Sequence, residues 1–154
     1  MKFLISLLAA FSLTVTGVPV FEVNAQDISN SPSIYAFGTL NENSSYPTNL
    51  DYFTVTNNSA YPVNITIGGS DMTGGATWIL ADDAAPGEDI YGLKAGLAGG
   101  SYNVTVRKNS PYNTLVSNLA SLGTQQWGLE FLSPTSFSDG AQKSGIVTLT
   151  ATQA

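Results

Sequence analysis

Strict alternation of apolar and polar residues is the feature that most limits what this chain can become. Val63, Ile65 and Ile67 alternate with Pro62, Asn64 and Thr66, and Tyr102, Val104 and Val106 alternate with Asn103, Thr105 and Arg107. Trp127, Leu129 and Phe131 alternate with Gln126, Gly128 and Glu130, and Val147, Leu149 and Ala151 with Thr148, Thr150 and Thr152. A period of two puts every second side chain on one face of a pleated strand, so each segment predicts a strand with one dry face. Further strands are predicted at 33–40, 50–56, 77–81 and 89–95. Turn formers separate them, among them Asn57-Asn58-Ser59, Gly68-Gly69, Gly74-Gly75, Pro86-Gly87, Gly99-Gly100 and Asp139-Gly140. Short strands at close spacing predict an all-β fold, an antiparallel immunoglobulin-like or Greek-key sandwich of about eight or nine strands. Leu115, Leu119 and Leu122 break this pattern; their spacing suits one turn of helix as well as an extended crossing.

The start of the chain is different in kind. Lys2 is followed by Phe3, Leu4, Ile5, Leu7, Leu8, Ala9, Ala10, Phe11 and Leu13, then by Pro19 and Glu22, with Val23-Asn24-Ala25 at the end. A short positive start, an apolar stretch and small residues at a cleavage position are the export pattern, so residues 1–25 read as a cleavable signal peptide. Ser12, Thr14, Thr16, Gly17 and Pro19 interrupt the stretch, which leaves it short of the ~20 clean apolar residues a membrane anchor needs. Residues 26–32 are polar and predict a flexible N-terminal arm, and residues 33–154 a single β-sandwich domain. The mature protein is expected to be secreted or held at the cell surface, with no membrane insertion once the signal is removed.

Composition narrows the chemistry. The 154 residues contain no cysteine and no histidine. An exported chain without disulfides must stand on buried apolar surface, and without His or Cys it lacks the commonest general base, zinc ligands and thiol nucleophile. Eleven Asp and Glu against five Lys and Arg give a net charge of −6, which excludes the cationic face that nucleic-acid binding requires. No cofactor is expected.

The chain also echoes itself. Val55-Thr56-Asn57-Asn58-Ser59-Ala60-Tyr61 resembles Val106-Arg107-Lys108-Asn109-Ser110-Pro111-Tyr112, and Trp78-Ile79-Leu80 resembles Trp127-Gly128-Leu129, each roughly 50 residues later. Two related half-repeats facing each other would explain this, and so would chance among similar strands.

Trp78 and Trp127 are the side chains best suited to stacking on a sugar ring. Their parity with Leu80 and with Leu129 and Phe131 places both in the core instead. Tyr46, Tyr61 and Tyr112, beside turns, are the better candidates for a wet binding face. Asp82-Asp83 and Glu88-Asp89 surround a turn and supply the oxygen ligands that calcium prefers, but in no standard calcium-loop spacing. Asp83 and Glu88 are a generic carboxylate pair without a marked groove, and Lys108 and Lys143 beside serines look like turn chemistry, so no catalytic residue is assigned and the protein is not expected to be an enzyme. Asn43, Asn57, Asn64 and Asn103 open glycosylation sequons, a number that chance alone supplies at this content of Asn, Ser and Thr.

Two Trp-x-Leu tripeptides, Trp78-Ile79-Leu80 and Trp127-Gly128-Leu129, on an exported cysteine-free β-rich chain resemble the WxL family of bacterial surface proteins, which implies non-covalent association with the cell wall. The closing stretch from Asp139-Gly140 through Gly145-Ile146-Val147-Thr148-Leu149 looks like the last strand of extracellular β-sandwiches such as the camelysin-like matrix fibre subunits. The resulting expectation is a secreted, non-catalytic structural or adhesive surface module, in one form a self-assembling coat or filament subunit. Its partner is another copy, another surface protein or a cell-wall polysaccharide. The arm followed by Ile34, Tyr35, Ala36 and Phe37 is the expected assembly strand, able to complete a neighbour's sheet edge. The alternative is a carbohydrate-binding module.

Overall fold

A computed structural model describes residues 27–154 and, by their backbone, residues 3–9. Of the expected signal peptide, residues 1, 2 and 10–25 lie outside the described residues. The strands are β1 (Phe3–Ala9), β2 (Ile28–Ser31), β3 (Ile34–Gly38), β4 (Ser45–Pro47), β5 (Phe53–Asn57), β6 (Val63–Gly69), β7 (Ile79–Leu80), β8 (Ile90–Leu97), β9 (Val104–Thr105), β10 (Asn113–Leu119), β11 (Thr124–Leu132) and β12 (Ser144–Gln153). No helix occurs among the described residues, so none is long and apolar enough to cross a membrane.

The strands form two sheets. One runs β10-β6-β12-β1-β3, and the other β2-β5-β11-β8-β7 with β4 on β11 and β9 on β8. From β5 onward the chain steps back and forth between them: β5, β8 and β11 lie in the second sheet, and β6, β10 and β12 in the first. The fold is therefore all-β with one shared core. Ile65, Ile67, Val147 and Leu149 enter it from the first sheet, and Phe53, Val55, Leu93, Trp127, Leu129 and Phe131 from the second. The two halves of the internal echo occupy the sheets alike at first, β5 then β6 and β9 then β10, but β8 and β12 fall in different sheets.

Aromatic rings fill the centre. Trp127 stacks on Phe53 at 4.7 Å, Tyr91 on Phe131 at 5.4 Å, and Trp78 on Phe137 at 4.8 Å. Trp78 and Trp127 are both 0% exposed. The Trp127 indole N–H donates to Asn30 Oδ1 at 2.9 Å, which satisfies the one polar atom of that side chain. Gly128, the middle residue of its tripeptide, lies under the 48–50 loop: a Cβ there would meet Asn49 O at 2.4 Å, so only glycine lets that loop cross.

Several elements depart from the sequence expectation. Residues expected as a free arm include β2, which pairs with β5 from Ile28↔Asn57 to Ser31↔Thr54 and carries the Asn30 acceptor just described. Leu115 and Leu119 belong to strand β10, not to a helical turn. Two register shifts, between Thr114 and Val116 and between Val116 and Leu119, add residues to the strand and turn a spacing of three or four into one buried face. Leu122 is 74% exposed and belongs to no such face. The Trp78 segment shrinks to a two-residue strand that runs parallel to β8, because Trp78 itself bridges back to Met72.

Among the described residues one side-chain amide is fully buried. Asn57 Nδ2 donates to Tyr61 O (2.8 Å), Leu119 O (3.1 Å) and Ala120 O (3.0 Å), and its Oδ1 accepts from Ser59 N at 3.0 Å. It ties the β5–β6 turn to the end of β10. Asn57→Ala removes these buried bonds, leaving Tyr61 O to the Ser59 hydroxyl and Ala120 O to Gly123 N–H, and is expected to lower unfolding free energy by about 1–3 kcal/mol in a denaturant titration. The wild-type chain should show blue-shifted tryptophan emission that acrylamide barely quenches.

Candidate functional site

The acidic groups singled out in the sequence do not converge. Asp82 accepts from Lys108 N (2.6 Å), Asn109 N (3.1 Å) and Asn109 Nδ2 (2.6 Å), and the Asn109 side chain is the main reason its carboxyl is held below the usual carboxylate range. Asp83 caps its own turn through Ala85 N at 3.0 Å. Asp89 accepts from the backbone N–H of Ser138 at 2.9 Å and from its hydroxyl, which also lowers its pKa. These carboxylates pin three different loops. Among the described residues no group of three or more His, Cys, Asp or Glu is placed to hold a metal ion.

Asp139 and Lys143 form the tightest charged cluster. Lys143 is 0% exposed, and its Nζ donates to Gly74 O (2.5 Å), Ala76 O (2.6 Å) and Asp139 Oδ1 (2.6 Å) while lying 5.6 Å over the Trp78 ring. Three acceptors for its three protons make this a closed clamp between the 74–76 and 139–143 loops. Nothing is left over for chemistry. Tyr91, whose hydroxyl donates to Ser70 O, is pushed well up in pKa by burial and is a core group.

The tyrosines do not make a platform. Tyr61 and Tyr112 are exposed, but Tyr61 precedes β6 while Tyr112 covers Gly68 near its far end, roughly 20 Å away at ~3.3 Å per residue. Tyr46 lies in the other sheet, opposite Phe131, and accepts from Asn41 N. A depression of about 360 Å³ lined by Leu97, Gly100, Ser101, Asn103, Val104 and Leu115 holds no charged group. Of the sequon asparagines, Asn57 is buried with its amide fully engaged and is closed to a glycan, whereas Asn43 and Asn103 are exposed.

Strand β1 sits between β12 and β3, parallel to β12 from Leu4↔Ser144 to Ala9↔Leu149 and antiparallel to β3 from Phe3↔Gly38 to Ser6↔Ile34. Among the described residues β3 has no strand partner except β1. Its own side chains hold it down: Tyr35 meets Phe37 at 4.7 Å and Tyr52 at 4.8 Å, and Phe37 meets Phe131 at 5.2 Å. Ile34 and Ala36 face outward. Ser6 pairs with Ile34 on one side and Ile146 on the other, so these isoleucines, 51% and 45% exposed, stand in one row across β1 on the solvent face.

The expected assembly strand Ile34, Tyr35, Ala36 and Phe37 is thus part of a seam whose other bank is β12. The sequence marked β12 as an ordinary strand. The signal it carried was the run Ser144–Gln153, ten residues without lysine or proline. Trp78 and Trp127, the anchors of the two Trp-x-Leu tripeptides, face the core rather than this seam. No known protein family matches the chain, and no curated protein matches it.

The clamp gives a pH signature. The Lys143 ammonium, with the backbone N–H groups of Ala76 and Ala141, holds the Asp139 carboxyl down at about 2 against an ordinary 3.8. A carboxyl depressed on folding stabilises above its unfolded pKa and loses that contribution as pH falls through the folded one. The melting temperature is expected to fall as pH drops from 3.8 toward 2, and Asp139→Asn should lower it at neutral pH while flattening that acid limb. Thermal melts between these pH values, read by circular dichroism, check both.

Proposed function

We propose that this chain is an exported, non-catalytic surface protein that works by associating with copies of itself, as the subunit of a coat or filament. One observation carries this reading: the first sheet is completed by Phe3–Ala9, a segment that reads as a removable export signal, so the exported chain keeps β12 and β3 but not the strand between them. The non-catalytic part is supported by the absence of His and Cys and by the loop contacts that engage the carboxylates of Asp82, Asp89 and Asp139. Resemblance of the closing strand to camelysin-like fibre subunits supports the same reading. Strands that step between sheets support an immunoglobulin-like Greek-key sandwich, and the shared order of β5-β6 and β9-β10 supports two half-repeats.

Wall or polysaccharide binding draws its support only from the two Trp-x-Leu tripeptides and the scattered exposed tyrosines. It is the outcome to which retention on insoluble polysaccharide would point.

The decisive measurement is of the exported chain itself. Purified from the medium and concentrated, it is expected to form regular particles or fibres by electron microscopy, with scattering that rises above a threshold concentration. A chain that stays monomeric at every concentration and forms no ordered structure refutes the assembly reading.

A further inference from the structure

An unusual residue sits at the tip of the turn from β10 to β11. Gly123 N donates to Ala120 O at 2.9 Å, and Leu122, in the third place of that turn, has φ +57°. This place favours glycine or asparagine, because a bulky side chain there crowds its own backbone. Leu122 is also 74% exposed, the most exposed large apolar side chain among the described residues. Backbone strain and an apolar group in water thus fall on one position, and its own fold gives it no burial in return. The turn is held firmly. Ser121 Oγ donates to Ser59 O (2.8 Å), Asn57 N to Gly123 O (2.9 Å) and Asn57 Nδ2 to Ala120 O (3.0 Å). Leu122 is a knob on a fixed base, so docking it orders little that is not ordered already.

The molecule also carries a hole. The depression of about 360 Å³ described above lies where β8 and β9 of the second sheet approach β10 of the first. Leu97, Val104 and Leu115 give it an apolar lining, and the exposed Gly100, Ser101 and Asn103 give it an uncharged polar rim. It has room for a leucine side chain. Leu122 is not among its lining residues, so no chain fills its own hole. Charge favours a second copy as the source of the knob. The chain carries a net charge of −6, yet neither the 120–123 turn nor the lining of the hole holds a charged side chain. Asp71, Asp82, Asp83, Glu88, Asp89 and Asp139 lie in the 70–89 and 133–143 connections, at the other end of β11 from Leu122. Knob and hole can therefore meet without desolvating a charge and without bringing one copy's acidic end to the contact.

Resting on the assembly reading above, we propose that Leu122 of one copy seats in the depression lined by Leu97, Val104 and Leu115 of the next. The two surfaces differ, so every copy gives one knob and takes another. Such a contact is head to tail, and it extends into a row of copies unless the rotation between neighbours closes a ring. One leucine in one hollow is a small contact. Its effect grows in a row, where each inner copy is held on both sides.

The test uses the exported chain and two variants of it. Leu122→Gly removes the knob and relieves the turn, so it should melt no lower than the wild type. Ser101→Trp blocks the hole from an exposed position and leaves the knob in place, and Asn103→Trp replaces it as the block if Ser101→Trp melts early. By light scattering, each variant alone is expected to raise the threshold concentration for assembly by roughly tenfold or more, the effect of losing one buried leucine. Mixed in equal amounts, the two variants should form one-to-one pairs in sedimentation velocity and grow no further, because one free knob meets one open hole. A Leu122→Gly chain that assembles at the wild-type threshold overturns the knob and leaves self-association standing. A mixture that forms no pairs overturns the depression as its seat. A wild-type chain that stays single at every concentration overturns the assembly reading and this contact with it.

Discussion

The ring of Trp127 rests 4.7 Å from that of Phe53, and from this stack an aromatic layer continues through Tyr35 and Phe37 to Phe131, Tyr91 and Trp78. With no cysteine to cross-link it, the protein depends on burial of this layer. Each buried aromatic side chain removes on the order of 150–250 Å² from water. Neither sheet can bury that surface alone; the chain passes between the sheets from β5 to β12, and cohesion is shared by strands far apart in sequence. Even the expected assembly strand is fixed in place by its rings before any hydrogen bond is considered.

Two polar groups trapped by this packing, the Asn57 amide and the Lys143 ammonium, are put to structural use. Asn57 gathers the carbonyls of Tyr61, Leu119 and Ala120, and Lys143 gathers those of Gly74 and Ala76 together with the Asp139 carboxylate. A buried amide or ammonium left unsatisfied would cost several kcal/mol, so each fixes the loops around it as firmly as a core residue would. Asp82, Asp83 and Asp89 are engaged differently, each in hydrogen bonds at the protein surface. In the first sheet β12 and β3 face each other across β1.

Much of this was legible in the sequence. Alternation marked β6, β11 and β12 with their inward faces, and the shared parity of Trp127 with Leu129 and Phe131 assigned that indole to the core because side-chain direction along a strand is a local property. The seam was half legible: Ile34, Tyr35, Ala36 and Phe37 stood out, whereas β12 did not. β10 was hidden because two bulges make its buried residues recur at helical spacing. β2 was hidden because a short polar strand carries no alternation and exists only where β5 offers it an edge. Asp82, Asp83, Glu88 and Asp89, set aside in the sequence because their spacing fits no standard calcium loop, turn to different neighbours, Asp82 to Asn109 and Asp89 to Ser138.

By itself, the order of residues determined that this chain makes strands, which side chains of those strands turn inward, and that reactive groups are scarce. These follow from period, composition and charge, each readable within a few neighbours. Only the tertiary structure decided which strands lie side by side, and therefore that β12 and β3 flank the space held by Phe3–Ala9. Strand pairing is a contact between distant segments, set by how two sheets close over a common aromatic layer, and no local pattern encodes it.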